Sequence, residues 1–350
     1  MINDNIIKAE DLKNIIAAKL PWQRLYGKTI LITGANGFLP AYMVESILLL
    51  NENKANQPIK VIGLVRNIEK AKKRFEGFLE RNDFLLITAD ICKPIEIKEK
   101  LNYIIHAASQ ASPKYYSIDP VGTLSANTIG TYNLLNLAVE NNVENFLFFS
   151  SSEVYGAVLS NENITESMYG IIDPTQIRSC YAESKRMGET MCVSFGAQYN
   201  VPVSIVRPFH TYGPGLSFDD GRVFADFVAN IVNGNDIVIN SDGSAVRSFC
   251  YLADATVGFF TVLLKGEHNL AYNVGNPMGA ISIKELANLL VEMYPQKKLK
   301  AVFKDSNSKV YLQSNFSRLC PDIEKIKALG WEPSTSVQEG FRRTIESFIL

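Results

Sequence analysis

Tyr181 and Lys185 stand four residues apart, a spacing that puts both on one face of a helix. An ammonium near a phenol, joined by the positive charge of an oxidised nicotinamide, favours the tyrosinate and lowers the phenol's pKa. Such a tyrosine can take the proton of an alcohol as hydride leaves its carbon. About thirty residues upstream, Ser150-Ser151-Ser152-Glu153-Val154-Tyr155-Gly156 follows the apolar run Asn145-Phe-Leu-Phe-Phe149. Polar groups that follow a buried strand sit at the carboxyl edge of a sheet. Ser151 is then placed to hold the same hydroxyl, with Ser152 and Glu153 beside it. The plainer alternative is an ordinary pair on a helix surface.

A second constellation is Gly34-Ala35-Asn36-Gly37-Phe38-Leu39-Pro40, between an apolar strand and a helical run. Gly34 allows a tight turn, and Gly37 lets backbone approach a pyrophosphate that rests on the helix N-terminus. Two glycines alone also fit a purely structural turn. Pro40 is tolerated in a first helical turn, where its missing N–H had no partner. The next strand ends at Arg66 with no acid nearby. By itself this favours NADP, since an Arg accommodates a 2′-phosphate. Stacked on adenine, Arg66 would be indifferent to that phosphate. Asp90 suits either the adenine edge or a loop cap.

The elements that must position these groups alternate. Apolar strands are expected at residues 28–33, 60–65, 84–88, 103–106, 145–149 and 203–206, and helices at 42–50, 68–81, 127–140 and 182–199. This rhythm predicts an α/β fold, a doubly wound parallel Rossmann sheet. Residues 1–27 read as a helical arm, its helix spanning 2–20. Beyond Arg207, Gly213-Pro214-Gly215 and Gly275-Asn276-Pro277 break the rhythm, and two further helices are expected at 283–293 and 323–329. A smaller, mixed substrate-binding part, about 207–240 and 267–350, would cover the sheet's carboxyl edge, with 28–206 and about 241–266 forming the dinucleotide-binding domain.

With 350 residues, 47% of them hydrophobic, the chain can bury a sizeable core. A net charge of -1 gives no support for nucleic acid or an anionic membrane as partner. The five cysteines form no CxxC pair and read as reduced thiols, and the three histidines lie far apart, so no metal is expected. The polar N-terminus does not read as a signal peptide, and no apolar run reaches the ~20 residues of a membrane span, so a cytoplasmic protein is expected.

From about Lys28 to Pro333 the chain resembles the extended short-chain dehydrogenase/reductase family of nucleotide-sugar epimerases, dehydratases and decarboxylases, most of all the UDP-glucuronate decarboxylases. The resemblance rests on Ala111-Ser112-Pro113-Lys114-Tyr115-Tyr116, Asn127-Thr128-Ile129-Gly130-Thr131, Ser152-Glu153-Val154-Tyr155-Gly156, Lys185-Arg186-Met187-Gly188-Glu189-Thr190-Met191, Asp220-Gly221-Arg222-Val223 and Arg247-Ser248-Phe249. It implies a tightly held NAD, with NADP as the alternative, and oxidation at C4 of a nucleotide-linked sugar. The cofactor would touch Gly34, Asn36, Gly37, Phe38 and Leu39, then Arg66, Asp90 and Ile91, then Ala107, Ala108 and Ser109, and finally Tyr181 and Lys185. The substrate would touch Ser112, Tyr116 and Arg222, with Arg247 on its diphosphate. A homodimer is also expected.

The dehydratases carry an Asp-Glu pair, and here Ser152 takes the Asp position. The Ser-Glu pair is the decarboxylase pattern. Against it, the decarboxylases' Arg-Arg-Lys-Pro-Asp-Ile stretch reads Arg318-Leu319-Cys320-Pro321-Asp322-Ile323, and His210 and Gly215 replace the usual Asn and Arg around Thr211-Tyr212-Gly213-Pro214. A 4-keto-6-deoxysugar to be reduced, or a C4 or C5 epimerisation, therefore stands beside decarboxylation. A non-catalytic dinucleotide-sensing module is the alternative of a different class, opposed by the intact Tyr181 and Lys185.

Overall fold

Strands apolar on both faces must be covered on both. The computed structural model describes residues 5–52, 57–158, 162–304 and 318–349. In chain order it places α1 (Ile6–Ala17), β1 (Thr29–Thr33), α2 (Phe38–Glu52), β2 (Lys60–Val65), α3 (Ile68–Arg74), β3 (Phe84–Thr88), β4 (Tyr103–His106), α4 (Lys114–Ile118), α5 (Pro120–Asn141), β5 (Asn145–Phe149), α6 (Ser179–Tyr199) and β6 (Val203–Pro208). There follow β7 (His210–Tyr212), α7 (Val223–Asn233), β8 (Ile237–Ile239), β9 (Val246–Tyr251), α8 (Leu252–Lys265), β10 (Leu270–Val274), β11 (Ala280–Ser282), α9 (Ile283–Met293), β12 (Ala301–Phe303), β13 (Arg318–Leu319), α10 (Glu324–Lys327) and α11 (Val337–Glu346).

Seven strands form one parallel sheet in the order β10-β6-β5-β4-β1-β2-β3. Along β1, Ile30 and Ile32 join a core with α2 and α8, while Leu31 faces a second core with α5 and α6. Phe146 and Phe148 of β5 enter the second core, and Leu147 and Phe149 the first. The order reverses between β1 and β4, and that switch point opens a crevice at the strands' carboxyl ends.

The expected strands are present. Helix α5 starts earlier than expected, because Asp119 caps it by accepting from Gly122 N at 3.0 Å and Pro120 follows as its first residue. The helix expected at 68–81 stops at Arg74 and gives way to a 3₁₀ turn at Glu76–Phe78. One boundary moves: β10, placed by sequence in the substrate-binding part, is an edge strand of the large sheet, in register with β6 from Leu270↔Ser204 to Val274↔Pro208. Strand β9, expected in the dinucleotide-binding domain, instead centres a small sheet with β7, β11 and β13. Helix α8 packs on the large sheet and is buried almost all round. Of the expected arm helix, residues 2–4 lie outside the described residues. The rest packs inward, with Lys8 to Glu45 at 2.7 Å and Asp11 held by Tyr251 at 2.7 Å and Arg343 at 2.8 Å.

Candidate active site

The turn after β1 closes on itself. Gly34 N donates to Leu64 O at 2.8 Å and Gly37 N to Gly34 O at 2.7 Å. Gly34 has φ +64°, and a Cβ there would lie 2.8 Å from the Ala108 Cα. At Gly37 the turn itself adds a reason for glycine. A Cβ would meet the Gly34 carbonyl at 2.9 Å and the Pro40 ring, so the turn's own packing demands glycine there. Asn36, Phe38 and Leu39 lie on this turn and on the first residues of α2.

Further along the crevice, Ala108 N donates to Thr33 Oγ1 at 3.1 Å, and Ser109 Oγ is buried with no hydrogen-bond partner among the described residues. Asp90 takes the loop-cap role, accepting from Cys92 N at 3.0 Å. Ile91 is buried over Gly130, where a Cβ would meet it at 2.5 Å. Arg66 is exposed, and its charge acts on Asp119 and Cys92.

Helix α6 begins at Ser179, so Tyr181 and Lys185 lie in its first turns, both buried. Burial governs both groups. Burial pushes Tyr181 up to about 12; a hydrogen bond with Ser151 and the charge of Arg222 oppose the rise, and Glu153 adds to it. Burial also lowers Lys185 to about 7, opposed by Glu189. The Lys185 Nζ donates to the Phe149 carbonyl at 2.6 Å, at the end of β5, and lies 5.8 Å from the Tyr181 ring centroid.

Ser151 and Ser152 are buried, and Ser151 Oγ also accepts from Glu153 N at 3.2 Å. Glu153 carries a partner that sequence reading missed. Arg178 grips both its oxygens, Nη1 to Oε2 at 3.0 Å and Nη2 to Oε1 at 3.3 Å. Arg178 stands three residues before Tyr181, a signal that was legible only once Glu153 was known to lie across from it.

Tyr116 stacks on Tyr181, centroids 5.1 Å apart and planes at 16°, and its hydroxyl donates to Ala111 O at 3.0 Å. Ser112 donates to the Asp220 carbonyl, and Lys114 to that of Asp219 at 2.6 Å. The Ser112 hydroxyl, expected on the substrate, thus ties its segment to the 219–222 loop. Arg222 pairs with Asp220, Nη2 to Oδ2 at 2.7 Å, and its charge reaches Tyr116 and Tyr181. Arg247 is buried on β9 and donates to Val246 O at 2.8 Å. His210, on the neighbouring β7, lies in the field of Arg222 and Arg247.

The glycine turn after β1 and the Tyr-x-x-x-Lys pair on the helix after β5 thus flank the switch point of the sheet. Residues 30–275 match the NAD dependent epimerase/dehydratase family. The chain belongs to that family. It is 34% identical over 323 residues to UDP-glucuronic acid decarboxylase 6 of Arabidopsis thaliana, covering 92% of this chain and 89% of that one. UDP-glucose 4-epimerase of Thermotoga maritima superposes with a TM-score of 0.77 at 25% identity, over 92% of this chain and 98% of that one. UDP-glucuronic acid 4-epimerase of Bacillus cereus shares the fold, with a TM-score of 0.78 at 21% identity over 92% and 99% of the two chains.

The family's cofactor is NAD, and the crevice suits a dinucleotide. Gly34 leaves room where a side chain would collide, and the orphaned Ser109 hydroxyl waits for a polar partner. Read alone, Arg66 favoured NADP; its charge is shared with Asp119, and the family's NAD takes precedence. Among the described residues no helix is long and apolar enough to cross a membrane.

Proposed function

We propose that this NAD-dependent enzyme oxidises C4 of a nucleotide-linked sugar and then acts at C5, and that its substrate is UDP-glucuronate, which it decarboxylates. The observation that carries this reading is the cluster of Tyr181, Ser151, Ser152 and Glu153: a buried phenol hydrogen-bonded to a serine, next to a carboxylate in an Arg178 clamp, with no acid at Ser152. The 34% identity to a UDP-glucuronic acid decarboxylase supports the substrate.

A bound NAD would supply the acceptor for the C4 hydride, a positive charge that favours the tyrosinate, and the same hydride back to C4 once C5 has been protonated. Tyr181 takes the C4 hydroxyl proton, Ser151 holds that hydroxyl, and buried Lys185 steadies the phenol from within α6. A 4-keto group acidifies C5, so the bond from C5 to its carboxyl carbon can break, the electron pair passing toward the C4 carbonyl as carbon dioxide leaves. Glu153 governs protons at C5. Asn36, Phe38 and Leu39 with the two glycines would hold the pyrophosphate, Ile91 and the Asp90 oxygen left free of the loop cap the adenosine, and Tyr116, Arg222 and Arg247 the substrate, with Ser112 holding the 219–222 loop against it. The division into a dinucleotide-binding domain and a substrate-binding part belongs to this reading. So does a homodimer, supported by exposed Val121, Leu124 and Tyr132 on α5 and Met187, Val193 and Tyr199 on α6.

One observation favours a second reading, epimerisation or reduction at C4 or C5 without loss of carbon. Leu319 occupies the position of the decarboxylases' second arginine, and it is buried in an apolar cluster with Val154 and Phe209. Mass spectrometry of bound small molecules, followed by incubation with a nucleotide-sugar panel, separates the two. Carbon dioxide and a UDP-pentose from UDP-glucuronate support decarboxylation; an epimer of unchanged mass supports the second reading.

Neither reading allows water elimination, because a serine holds its proton too tightly to replace an acid of tunable pKa. dTDP-glucose should therefore not be dehydrated. Glu153→Gln should still let substrate reduce NAD but should block solvent deuterium from C5 of the product. Full incorporation by the variant would remove Glu153 from C5 chemistry.

A further inference from the structure

A carboxylate inside a binding crevice decides which other charges can enter. Glu153 is such a group. Its backbone N–H is held on Ser151, and its side chain lies in the bidentate grip of Arg178. Both side chains of the pair stay partly open, 20% and 21% exposed, so a ligand can reach them. Arg178 directly precedes α6, so the helix that carries Tyr181 also places this guanidinium. The two charges reach the residues around the phenol. Burial raises the Tyr116 hydroxyl, Tyr181 and Glu153 add to that rise, and Arg222 and Arg178 oppose it. Strand β13 passes close by but brings no second cation. Leu319 is buried in one apolar cluster with Val154, and Arg318 donates to Asn163 Oδ1 at 3.1 Å. Among the described residues, Arg178 is the cation within ion-pair distance of Glu153.

We propose that Arg178 is a specificity-determining residue: by cancelling the charge of Glu153 it lets the site admit a sugar that carries a carboxylate on C5. The inference rests on the UDP-glucuronate reading above, which puts C5 beside Glu153, and adds to it the residue that makes an acidic sugar acceptable. Two carboxylates brought together in a half-buried pocket repel, and one of them must take up a proton or leave. Glu153 alone would therefore reject a sugar acid while tolerating the neutral sugar of the same shape. Paired with Arg178 it presents no net charge, and the discrimination against the acid disappears. Holding both carboxylate oxygens in a planar fork, Arg178 also keeps Glu153 in one orientation without discharging it.

The test is calorimetry on the full chain with NAD present, in a Tyr181→Phe background that slows turnover. UDP-glucuronate is compared with UDP-glucose, which has a hydroxymethyl group in place of the carboxylate. The readout is the ratio of the two affinities, since a packing role for Arg178 would weaken both ligands alike. Arg178→Met leaves Glu153 unpaired and should cost UDP-glucuronate about tenfold or more relative to UDP-glucose. Glu153→Gln leaves the guanidinium uncancelled and should move the ratio the other way, by about threefold or more. The double variant should return the ratio to within about threefold of the parent, because the net charge is again zero. Arg178→Lys keeps the charge and should hold the ratio as well. If Arg178→Met fails to fold, Glu153→Gln carries the same test with the opposite sign. A parent that binds neither ligand, or only UDP-glucose, overturns the UDP-glucuronate reading together with this inference. A parent that binds both, with a ratio that neither Arg178→Met nor Glu153→Gln moves, overturns the role of Arg178 alone.

Discussion

Around Gly34 the crevice is shaped by backbone; around Arg222 it is shaped by charge. On the first side, peptide groups close the turn on Leu64 and Gly34, and the Ala108 N–H is fixed on Thr33. On the second, Ser112, Lys114, Asp220 and Arg222 link two distant segments through side chains, and Arg178 clamps Glu153. Backbone geometry suits a ligand that every member of a family shares. Charged side chains on loops and short strands can be exchanged without disturbing the sheet, so specificity can vary there. Tyr181 stands between the two sides, stacked on Tyr116 from one and sharing a helix face with Lys185 from the other.

The largest effect should come from that junction. Tyr181→Phe keeps the stacking and removes the proton acceptor, and turnover should fall on the order of a hundredfold or more. Affinities for NAD and for the sugar nucleotide should stay within about twofold. Arg247→Met should do the reverse, raising KM with kcat less affected. Steady-state kinetics with hydride transfer shown to limit the rate reads both. A Tyr181→Phe enzyme of near-native turnover would take the acid/base role from this residue.

The same contrast governs what the sequence made legible. The six expected strands and the glycine turn are local patterns, and each could be read from a few neighbouring residues. The substrate side could not. The loop before α7 is tied across the fold by Ser112 on the Asp220 carbonyl, although Arg222 pairs locally with Asp220, and α8 is buried nearly all round. Tyr181 and Lys185 were legible as a pair, whereas the lysine's real partner, the Phe149 carbonyl, lies 36 residues upstream.

Paired glycine substitutions sharpen the comparison at intermediate size. Gly34→Ala meets both a positive φ of +64° and the Ala108 backbone at 2.8 Å, so it should cost more than the ~1–2 kcal/mol of a left-handed alanine and weaken NAD about tenfold or more. Gly221 also has a positive φ, +80°, but the nearest atom to a Cβ is 3.6 Å away. Gly221→Ala should therefore cost only about 1 kcal/mol from its backbone strain and leave NAD affinity unchanged, while shifting sugar-nucleotide affinity. Thermal melts and calorimetry measure the two. Equal losses of NAD affinity would mean that the sides are not separable.

The smallest effect is a slope. Lys185 is buried and held at about 7, below the ordinary lysine value of 10.5, with burial as the first cause. Below pH 7 the group is protonated whether the chain is folded or not, so its desolvation weighs in full on the native state. Between pH 7 and 10.5 the folded protein binds fewer protons than the unfolded chain, and stability from this group rises with pH. The slope approaches at most about 1.4 kcal/mol per pH unit. Lys185→Met abolishes it, whatever the variant's stability at neutral pH, so the melting temperature of wild type should gain on that of the variant as pH climbs from 7 to 10. Arg222→Leu offers the control from the other side of the crevice. A guanidinium stays charged in both states across this range, so wild type and that variant should run parallel. Parallel curves for Lys185→Met as well would mean that the lysine is not paying for its burial, and that the two sides of the crevice do not differ in this respect.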